Sequence, residues 1–308
     1  MSSACVRARL LSHHGRQAWA ADDDGHHFAC VYKGRDLQPV VNDTVLLDTT
    51  TTPAVITSIA PRRNQLIRSE AHRHKGLAAN VDGAVIVISG EPLFSDVLLA
   101  RMICACVAEG ISGVIVLNKI DLQQASDRAR AQLAPFAQCL VHHGWHVIEL
   151  AAKSRTSAEA THPMHAGLAQ LCDWLGHRTT VIMGQSGMGK SSLLNALVPD
   201  FNARTREISE ALQTGKHTTT AGQAVALDAH SWLIDTPGFQ LFGLDHLSET
   251  QIALGFPEWQ QVHEHDGRCR FNNCHHLNEP GCTVQAAAQR NAVPPRRLQL
   301  WSELIRNG

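Results

Sequence analysis

The sequence has no apolar run of the roughly 20 residues that a membrane-spanning helix needs, and no segment with the features of a secretory signal. We therefore expect a cytoplasmic protein that has no membrane partner. Disulfide bonds are not expected in that compartment, and the nine cysteines are an odd number. The net charge is only −1, so the chain is not broadly basic and any contact with RNA must use local patches.

One segment combines glycine, lysine and serine in the pattern of a phosphate-binding loop. Gly184 and Gly189 stand at the required spacing and are followed directly by Lys190 and Ser191. An apolar run over 179–183 predicts a buried strand before the loop, and the residues after it begin a predicted helix, which is the context this motif needs. Glycines let backbone N–H groups point at phosphate oxygens, and the N-terminus of a helix favours negative charge. The segment therefore predicts binding of a nucleoside triphosphate, with Lys190 at the β- and γ-phosphates and Ser191 on Mg²⁺.

A second motif indicates which base is bound: a predicted strand over 114–117 is followed by Asn118, Lys119, Ile120 and Asp121. A carboxylate at Asp121 can accept hydrogen bonds from N1–H of guanine and from its exocyclic amine. Adenine lacks this pair of donors, so the carboxylate would be left unpaired at a cost of about 1–3 kcal/mol or more. The alkyl stem of Lys119 can lie along the base. We therefore predict GTP and GDP as ligands, and competition by ATP would decide the more distant alternative of an ATP-dependent enzyme.

Two further segments supply candidates for the phosphate side. Asp235 and Gly238 match the Asp-X-X-Gly motif of GTPases, in which the aspartate supports Mg²⁺ through water and the glycine senses the γ-phosphate. Thr218 and Thr219 precede them in a segment that can close over Mg²⁺ and the γ-phosphate. The magnesium ligands are predicted to be Ser191 and Thr219, although the pattern fits either threonine.

A last segment lies beside the base. Residues 151–153 follow a predicted strand over 146–150, and their backbone can approach O6 of guanine as the Ser-Ala-Lys motif of GTPases does. The complete set of predicted GTP-binding residues is Asn118, Lys119, Ile120, Asp121, Ala151, Ala152, Lys153, Gly184, Gln185, Ser186, Gly187, Met188, Gly189, Lys190, Ser191, Ser192, Thr218, Thr219, Asp235 and Gly238.

The order of these motifs differs from that of an ordinary GTPase. GTPases run from the phosphate loop through the switch threonine and Asp-X-X-Gly to Asn-Lys-X-Asp and Ser-Ala-Lys, whereas here the last two come first. The chain therefore predicts a circular permutation, with the cut after the Asp-X-X-Gly strand. Such cuts are tolerated because the two ends of a domain often lie close together. Whatever follows Gly238 is then attached directly to the second switch.

Four potential metal ligands lie within fourteen residues: Cys269, Cys274, His276 and Cys282. Three thiolates and one imidazole make a closed tetrahedral Zn²⁺ site of the structural kind. His275 is the less favoured alternative to His276, and the same pattern would also fit a disulfide pair or unpaired buried thiols. We expect the remaining cysteines to be small core residues: Cys5, Cys30, Cys104, Cys106, Cys139 and Cys172.

Taken together, these motifs resemble the ribosome small subunit-dependent GTPase A family. Besides the permuted order and the cysteine cluster, the string Gly-Lys-His-Thr-Thr-Thr at 215–220 matches, as do shorter pieces at 79–82, 256–258 and 278–282. The resemblance covers nearly the whole chain. It implies GTP-dependent binding to the small (30S) ribosomal subunit and its 16S rRNA late in maturation, with release after hydrolysis.

The resemblance also points to a catalytic residue. Many GTPases align the attacking water with a glutamine just after Asp-X-X-Gly, but Phe239 stands at that position here. The family instead implies the switch histidine, His217. A neutral imidazole can accept a hydrogen bond from water, and its pKa lies near physiological pH.

The predicted fold class is multidomain. Residues 1–73 contain five short alternating runs separated by turn-forming residues, which fits an all-β OB barrel. The resemblance implies that this barrel binds RNA. We predict a circularly permuted α/β GTPase domain with a mostly parallel sheet over 74–243. A mainly α-helical zinc-binding domain is predicted over 244–308, with an amphipathic helix at 298–305. We expect a monomer.

Two arginine-rich stretches leave a second function possible. One consists of Arg62, Arg63, Arg68, Arg73 and Lys75, and the other of Arg290, Arg296 and Arg297. Each can follow an RNA backbone or can be ordinary solvated charge, and charge alone does not decide between them. The alternative function is a GTP-gated RNA-binding or scaffold protein without a role in ribosome maturation.

Overall fold

The computed structural model describes residues 5–33, 37–70, 73–153, 163–198, 201 and 222–306. Its first unit is a closed five-stranded barrel in the order β1-β2-β3-β5-β4. The strands are β1 (Cys5–His14), β2 (Gln17–Ala21), β3 (His27–Tyr32), β4 (Thr44–Asp48) and β5 (Ala54–Ile59). β3 and β5 pair in parallel, and the remaining barrel pairs are antiparallel. These strands correspond to the five runs predicted from the sequence, so the predicted barrel is confirmed.

The barrel has its own small core. Successive side chains of a strand point to opposite faces, and the inward residues Leu10, Val45, Leu47 and Ile56 are fully buried. β1 is long enough to pair with both β2 and β4, and its register shifts by a bulge near Leu10. Bulges bend a strand, which helps a short sheet to close on itself.

A two-stranded hairpin follows the barrel: β6 (Gln65–Glu70) pairs with β7 (Arg73–Ala79) in antiparallel register. The far end of β7 is fixed to the barrel, because Asn42 Nδ2 donates to the carbonyl of Ala79 at 2.6 Å. In addition, the Ala79 N–H donates to the carbonyl of Val41 at 2.9 Å. The hairpin is therefore hydrogen-bonded to the barrel at the end of β7 from which the chain enters the next unit.

Two arginines of the first basic stretch serve this connection. Arg62 forms a two-pronged ion pair with the buried Asp43, with Nε–Oδ1 and Nη2–Oδ2 distances of 2.7 and 2.8 Å. Arg63 Nη2 lies 2.7 Å from Asp82 Oδ1 at the start of the next unit. Neither arginine belongs to a free basic run, because a carboxylate faces each of them.

The central unit is a six-stranded sheet in the order β10-β9-β8-β11-β13-β12. Its strands are β8 (Gly83–Ser89), β9 (Ser112–Asn118), β10 (His146–Leu150), β11 (Thr179–Met183), β12 (Gln223–Ala226) and β13 (Trp232–Asp235). All pairs are parallel except that of β12 with β13. Strands covered on both faces are mostly apolar, and every residue of β8 and β11 is buried.

The described helices of this unit are α1 (Asp96–Ala108), α2 (Gln123–Leu133), α3 (Ala137–His142), α4 (Pro163–Leu175) and α5 (Lys190–Leu197), with a 3₁₀ turn at Ala134–Phe136. α1 begins where the Ser95 hydroxyl accepts the N–H of Leu98, which satisfies one of the free donors of its first turn. Its Leu99, Ile103 and Cys106 are buried in the core.

The described part of the C-terminal unit contains four helices: α6 (Glu249–Ala253), α7 (Glu258–Asp266), α8 (Thr283–Gln289) and α9 (Pro295–Arg306). The amphipathic helix predicted over 298–305 is confirmed, and it is longer at both ends. Its Leu300, Trp301 and Leu304 are buried at the i, i+1, i+4 spacing of one helix face. The predicted fold class, with barrel, parallel α/β sheet and helical C-terminal unit, is therefore confirmed.

Each arginine of the second basic stretch has a carboxylate partner, and one of the three is fully buried. Arg296 pairs with Asp96 at the start of α1, with an Nε–Oδ2 distance of 2.7 Å. Arg297 is buried against Glu258, with an Nε–Oε1 distance of 2.8 Å. Arg290 pairs with Asp266. An RNA-contacting or solvated role is therefore wrong for Arg297, because its guanidinium is enclosed against α7.

The prediction of buried cysteines needs one correction. Cys30, Cys104, Cys106 and Cys139 are buried, but Cys5 and Cys172 are exposed. Cys5 is the first residue of β1, and Cys172 lies on the outer face of α4, so neither side chain reaches a core. Among the described helices, none has both the length and the apolarity needed to cross a membrane.

Candidate functional site

The sequence motifs meet at one edge of the sheet. β8, β9, β10, β11 and β13 are parallel, so their carboxyl ends lie on the same side. In open α/β sheets this edge is where ligands bind. A cleft of about 600 Å³ opens there. Its lining is Asn118, Lys119, Asp121, Leu122, Ala152, Lys153, Ser186, Gly187, Gly189, Lys190, Ser191, Ser192, Asp235, Thr236, Pro237 and Gly238.

The loop between β11 and α5 forms one wall of the cleft. Gly189 caps the start of α5 with φ at 93°, a left-handed conformation that few other residues adopt. A Cβ atom there would lie 2.3 Å from Asn118 Nδ2, so only glycine leaves room for the neighbouring loop. The first turn of α5 then presents its free N–H groups to the cleft, which makes this wall suited to phosphate oxygens.

Lys190 is the buried cation of the site. Its Nζ donates to the carbonyls of Gly184 and Gln185 at 2.9 and 3.2 Å, so the side chain is already folded back over the loop. Burial lowers the pKa of Lys190, and the charge of Asp235 opposes that shift. Burial also raises the pKa of Asp235 to about 6, against the opposing charge of Lys190. A cationic amine and a carboxylate of raised pKa thus share the phosphate end of the cleft.

Asn118 joins the two ends of the cleft. Its Nδ2 donates to the carbonyl of Met188 in the phosphate loop at 3.0 Å, and its Oδ1 accepts the N–H of Ala152 at 3.0 Å. The residue is almost fully buried, with only 2% of its surface exposed. One amide therefore fixes the loops after β9, β10 and β11 relative to one another.

Lys119 lies across the mouth of the cleft in a left-handed conformation, with φ at 65°. Its Nζ donates to the carbonyl of Glu91 at 2.5 Å and to that of Gly187 at 2.7 Å. Because its backbone and its amine are both held, the alkyl stem of Lys119 offers an apolar surface in the cleft that Asp121 also lines. A flat base can lie on that surface while its polar edge faces the carboxylate.

Most of the predicted GTP-binding residues line the cleft, and five of those that the structure describes do not. Ala151 and Met188 are buried, and the carbonyl of Gly184 is occupied by Lys190. The Gln185 side chain accepts the N–H of Ser95 rather than facing the cleft. Ile120 packs against the core. His217, Thr218 and Thr219 lie outside the described residues.

Three lining residues were not predicted: Leu122, Thr236 and Pro237. Each is a neighbour of a predicted motif residue, and that adjacency was the available signal. Thr236 has a clear structural role, because its hydroxyl donates to the carbonyl of Ile182 at 2.7 Å and so holds the end of β13 against β11.

A second candidate site lies in the C-terminal unit. The ligand atoms of Cys269, Cys274, His276 and Cys282 all lie within 4.8 Å of one another. The distance between Cys269 Sγ and Cys282 Sγ is 3.9 Å, close to the about 3.8 Å that two sulfurs have on a tetrahedral Zn²⁺ with 2.3 Å bonds. His276 Nδ1 lies 3.3 to 3.6 Å from the three sulfurs. The cluster can therefore hold a metal ion.

The electrostatics of this cluster also suit a cation. Burial alone would raise the pKa of the Cys269 thiol. Hydrogen bonds from Thr283 and His263 stabilise the thiolate and outweigh that effect, so the pKa falls to about 6. Burial and the neighbouring thiols raise the pKa of Cys274 to about 12. Three thiols this close repel one another when ionised, and a divalent cation removes that penalty. Burial lowers the pKa of His276, which favours the neutral imidazole that binds metals.

The alternative ligand His275 is directed away from the cluster. Its Nδ1 lies 2.7 Å from a carboxylate oxygen of Glu249. Its backbone N–H donates to Glu279, which also accepts the N–H groups of Leu277 and Asn278. Burial would raise the pKa of Glu279, but these backbone donors lower it to about 2. Glu279 thus shapes the turn that presents His276.

The fold and the cleft define the class of the protein: a P-loop GTPase whose domain is circularly permuted. A model of the RsgA GTPase family matches residues 59–245. The chain belongs to the RsgA GTPase family, and it is a GTP hydrolase as that family is.

Curated relatives match over nearly the whole chain. The Small ribosomal subunit biogenesis GTPase RsgA of Bordetella pertussis is 42% identical over 311 residues, covering 99% of this chain and 97% of that protein. The protein of the same name from Burkholderia pseudomallei is 40% identical over 302 residues, covering 97% of this chain and 91% of that protein.

Two solved structures share the fold. YjeQ from Thermotoga maritima superposes with a TM-score of 0.68 at 24% identity, covering 97% of this chain and 96% of that chain. YloQ, a circularly permuted GTPase, gives a TM-score of 0.65 at 24% identity, covering 97% of this chain and 93% of that chain. The permutation predicted from the motif order is therefore confirmed at the level of the fold.

Proposed function

We propose that this GTPase binds the small ribosomal subunit and its 16S rRNA in the GTP form, acts late in maturation of the subunit, and leaves after hydrolysis stimulated by the subunit. The observation that supports this most is the extent of the likeness to proteins named Small ribosomal subunit biogenesis GTPase RsgA. It spans the barrel, the GTPase sheet and the cysteine cluster at about 40% identity, rather than the nucleotide motifs alone.

We infer specific roles for the cleft residues. Asp121 accepts hydrogen bonds from the guanine edge, and the stem of Lys119 supports the base. The Ala152 N–H is occupied by Asn118, so the neighbouring backbone, including Lys153, is the part available to guanine O6. Lys190 and the N–H groups that begin α5 bind the phosphates, and the backbone of Gly238 contacts the γ-phosphate.

The bound Mg²⁺ is assigned to Ser191 and Thr219, with Asp235 acting through a coordinated water. His217 is proposed to orient the attacking water, and either Thr218 or Thr219 to close over the ion. These roles rest on the motif positions. The hydroxyl of Ser191 and the carboxylate of Asp235 suit a hard cation that prefers oxygen ligands.

The carboxyl of Asp235 gives a pH-dependent prediction. Because its pKa is raised to about 6, it is ionised above that pH and becomes protonated as the pH falls through it. The ionised form attracts the cation and accepts charge-assisted hydrogen bonds from water on Mg²⁺, and protonation removes that charge. The Mg²⁺-dependent part of GTP affinity should therefore be constant above about pH 7 and fall by up to about tenfold per unit below about pH 6. Calorimetric titration with and without Mg²⁺ measures it.

The matched control for this prediction is Asp235→Asn. That variant should show a weaker Mg²⁺ effect whose remaining pH dependence is that of the terminal phosphate of GTP, which also titrates at about pH 6, because the introduced asparagine has no proton to lose. A parent protein with the same pH profile as Asp235→Asn would show that this carboxylate does not support the ion.

We propose one structural Zn²⁺ bound by Cys269, Cys274, His276 and Cys282. The support is the donor set and its tetrahedral spacing, and metal analysis of purified protein should give one zinc per chain. The ion would close the turn on which α8 begins, so it stabilises the C-terminal unit rather than taking part in hydrolysis.

The division into domains is proposed as 1–73 for the barrel, 74–243 for the GTPase and 244–308 for the zinc unit, with the β6–β7 hairpin shared across the first boundary. We also propose that the protein acts in the cytoplasm, where its ribosomal partner is assembled. A monomer suffices, because all the nucleotide contacts assigned above come from a single chain.

Co-sedimentation with purified small subunits tests the proposed partner. The protein should pellet with the subunit in the presence of a non-hydrolysable GTP analogue and much less with GDP. A GTP-gated RNA-binding or scaffold protein would instead bind naked RNA equally well and show no preference for the assembled subunit. Equal recovery with both nucleotides, or recovery on unrelated RNA alone, would contradict the proposal.

A further inference from the structure

The segment after the second switch is held by the hairpin that extends from the barrel. Ser69 of β6 and Gly243 exchange two backbone hydrogen bonds, each 3.0 Å long. A Cβ atom on Gly243 would lie 2.6 Å from the carbonyl oxygen of Ser69, so only glycine permits this close pairing. The Ser69 hydroxyl also lies 3.0 Å from Nδ1 of His246. Gly243 and His246 are therefore both held at Ser69 of β6.

Phe239 anchors the same segment on the side of the nucleotide. It follows Gly238 directly and is fully buried. Its N–H donates to the carbonyl of Gly184 at 3.2 Å, which joins it to the start of the phosphate loop. Its ring packs edge to face with Phe242 at 5.3 Å between centroids. A buried phenylalanine at the position after Asp-X-X-Gly thus acts as an anchor rather than as a catalytic group.

Arg68 of β6 contacts the ring of Phe239 from the side of the hairpin. Its guanidinium carbon lies 5.1 Å from the centroid of the Phe239 ring, within the range of a cation–π contact. The contact brings a side chain from the barrel-linked hairpin to the residue next to Gly238. Because a planar guanidinium can stack on a ring, it covers the phenyl face more completely than an ammonium of the same charge.

We propose that Arg68 is a positioning residue for GTP hydrolysis: through Phe239 it fixes Gly238 where its backbone meets the γ-phosphate. This rests on the proposed contact of Gly238 with that phosphate. GDP has no γ-phosphate, so the position of Gly238 matters for GTP and not for GDP. A side chain outside the nucleotide cleft thereby contributes to discrimination between GTP and GDP. The Ser69–Gly243 pair holds the far end of the segment that follows Gly238.

The variant Arg68→Met tests the inference because it keeps most of the stem and removes the cation. Affinity for a non-hydrolysable GTP analogue should fall about three- to tenfold, while affinity for GDP stays unchanged. The turnover number should fall with it, since a displaced Gly238 supports the transition state less well. Arg68→Lys should recover part of the loss. Gly243→Ala, which breaks the pairing with Ser69, should change the ratio of affinities in the same direction.

The matched control is Arg178→Met. Arg178, between α4 and β11, makes the same kind of contact with the ring of Trp174 on α4, at 4.9 Å and away from the second switch. It should leave both affinities and the turnover number unchanged.

An unchanged GTP-to-GDP affinity ratio in Arg68→Met, or an equal loss for both nucleotides, would overturn the inference and leave Arg68 as a packing residue only. The assigned role of Gly238 has its own readout in the unmodified protein, which should bind the GTP analogue differently from GDP. Equal affinities there would contradict that role, and this inference with it.

Discussion

Replacement of Asp121 by asparagine is expected to lower the affinity for GDP by about 100-fold, or about 2.7 kcal/mol. The carboxylate lines the cleft and has two oxygens for the two donors on the guanine edge. Asparagine keeps one acceptor and places an amide N–H against the exocyclic amine, so one charge-assisted bond is lost and two donors face each other. Hydrogen bonds to charged groups are worth about 1.5–3 kcal/mol each, which sets the size of the effect.

The same substitution should create a new preference. Xanthine carries a carbonyl oxygen where guanine carries the amine, and the amide of the introduced asparagine can donate to it. Asp121→Asn should therefore bind xanthosine diphosphate more tightly than GDP, while ADP stays weak for both proteins. Calorimetry with the three nucleotides measures this.

The control is Asp127→Asn, on the exposed face of α2, where the carboxylate pairs with Arg130 and does not line the cleft. It should leave all three affinities unchanged. An Asp121→Asn protein that still favours GDP over xanthosine diphosphate would show that the base lies elsewhere.

Loss of Arg297 should destabilise the protein by about 3–5 kcal/mol. Arg297 and Glu258 are each 1% exposed, and the guanidinium also donates to the carbonyl of Gly255 at 2.5 Å. It lies between the rings of Phe256 and Phe136, at 4.2 and 5.1 Å from their centroids. Burial alone would lower the pKa of Arg297, but the charge of Glu258 outweighs it and keeps the guanidinium protonated.

Arg297→Met would leave the Glu258 carboxylate buried without its partner, and that is the main source of the cost. Urea denaturation measures the free energy of unfolding, and the thermal midpoint should fall by about 10 °C. The double variant Arg297→Met/Glu258→Met removes both charges and should recover most of the loss, because apolar residues of similar volume often replace a buried ion pair without penalty.

Arg296→Met is the matched control, since Arg296 pairs with Asp96 but keeps a third of its side chain exposed. Its loss should cost less than about 1 kcal/mol. If the double variant were no more stable than Arg297→Met, the cost would come from lost packing around the guanidinium rather than from an unpaired charge.

Sequence alone was sufficient to predict those sites whose residues lie close together along the chain. The phosphate loop, the residues around Asp121 and the ligand cluster are each contiguous or nearly so, and strand–loop–helix context fixes the geometry of the two nucleotide motifs. The five barrel strands were also predictable, because their alternating pattern indicates which face is buried. The order of the motifs was enough to predict the permutation.

Sequence was insufficient where a side chain finds its partner through packing. The pairing of Arg62 with Asp43, and of Arg297 with Glu258, depends on how distant elements meet, so a count of arginines could not separate them from RNA-binding residues. The same limit applies to Lys119, whose amine bonds to the carbonyls of Glu91 and Gly187. Composition likewise gave no information on which cysteines face outward.

Release of phosphate with and without purified small subunits tests most directly the proposal that the small ribosomal subunit stimulates GTP hydrolysis by this chain. Turnover should be slow for the protein alone and rise severalfold when subunits are added, and His217→Ala should bind GTP normally yet lose that rise. Equal rates with and without subunits would contradict the account.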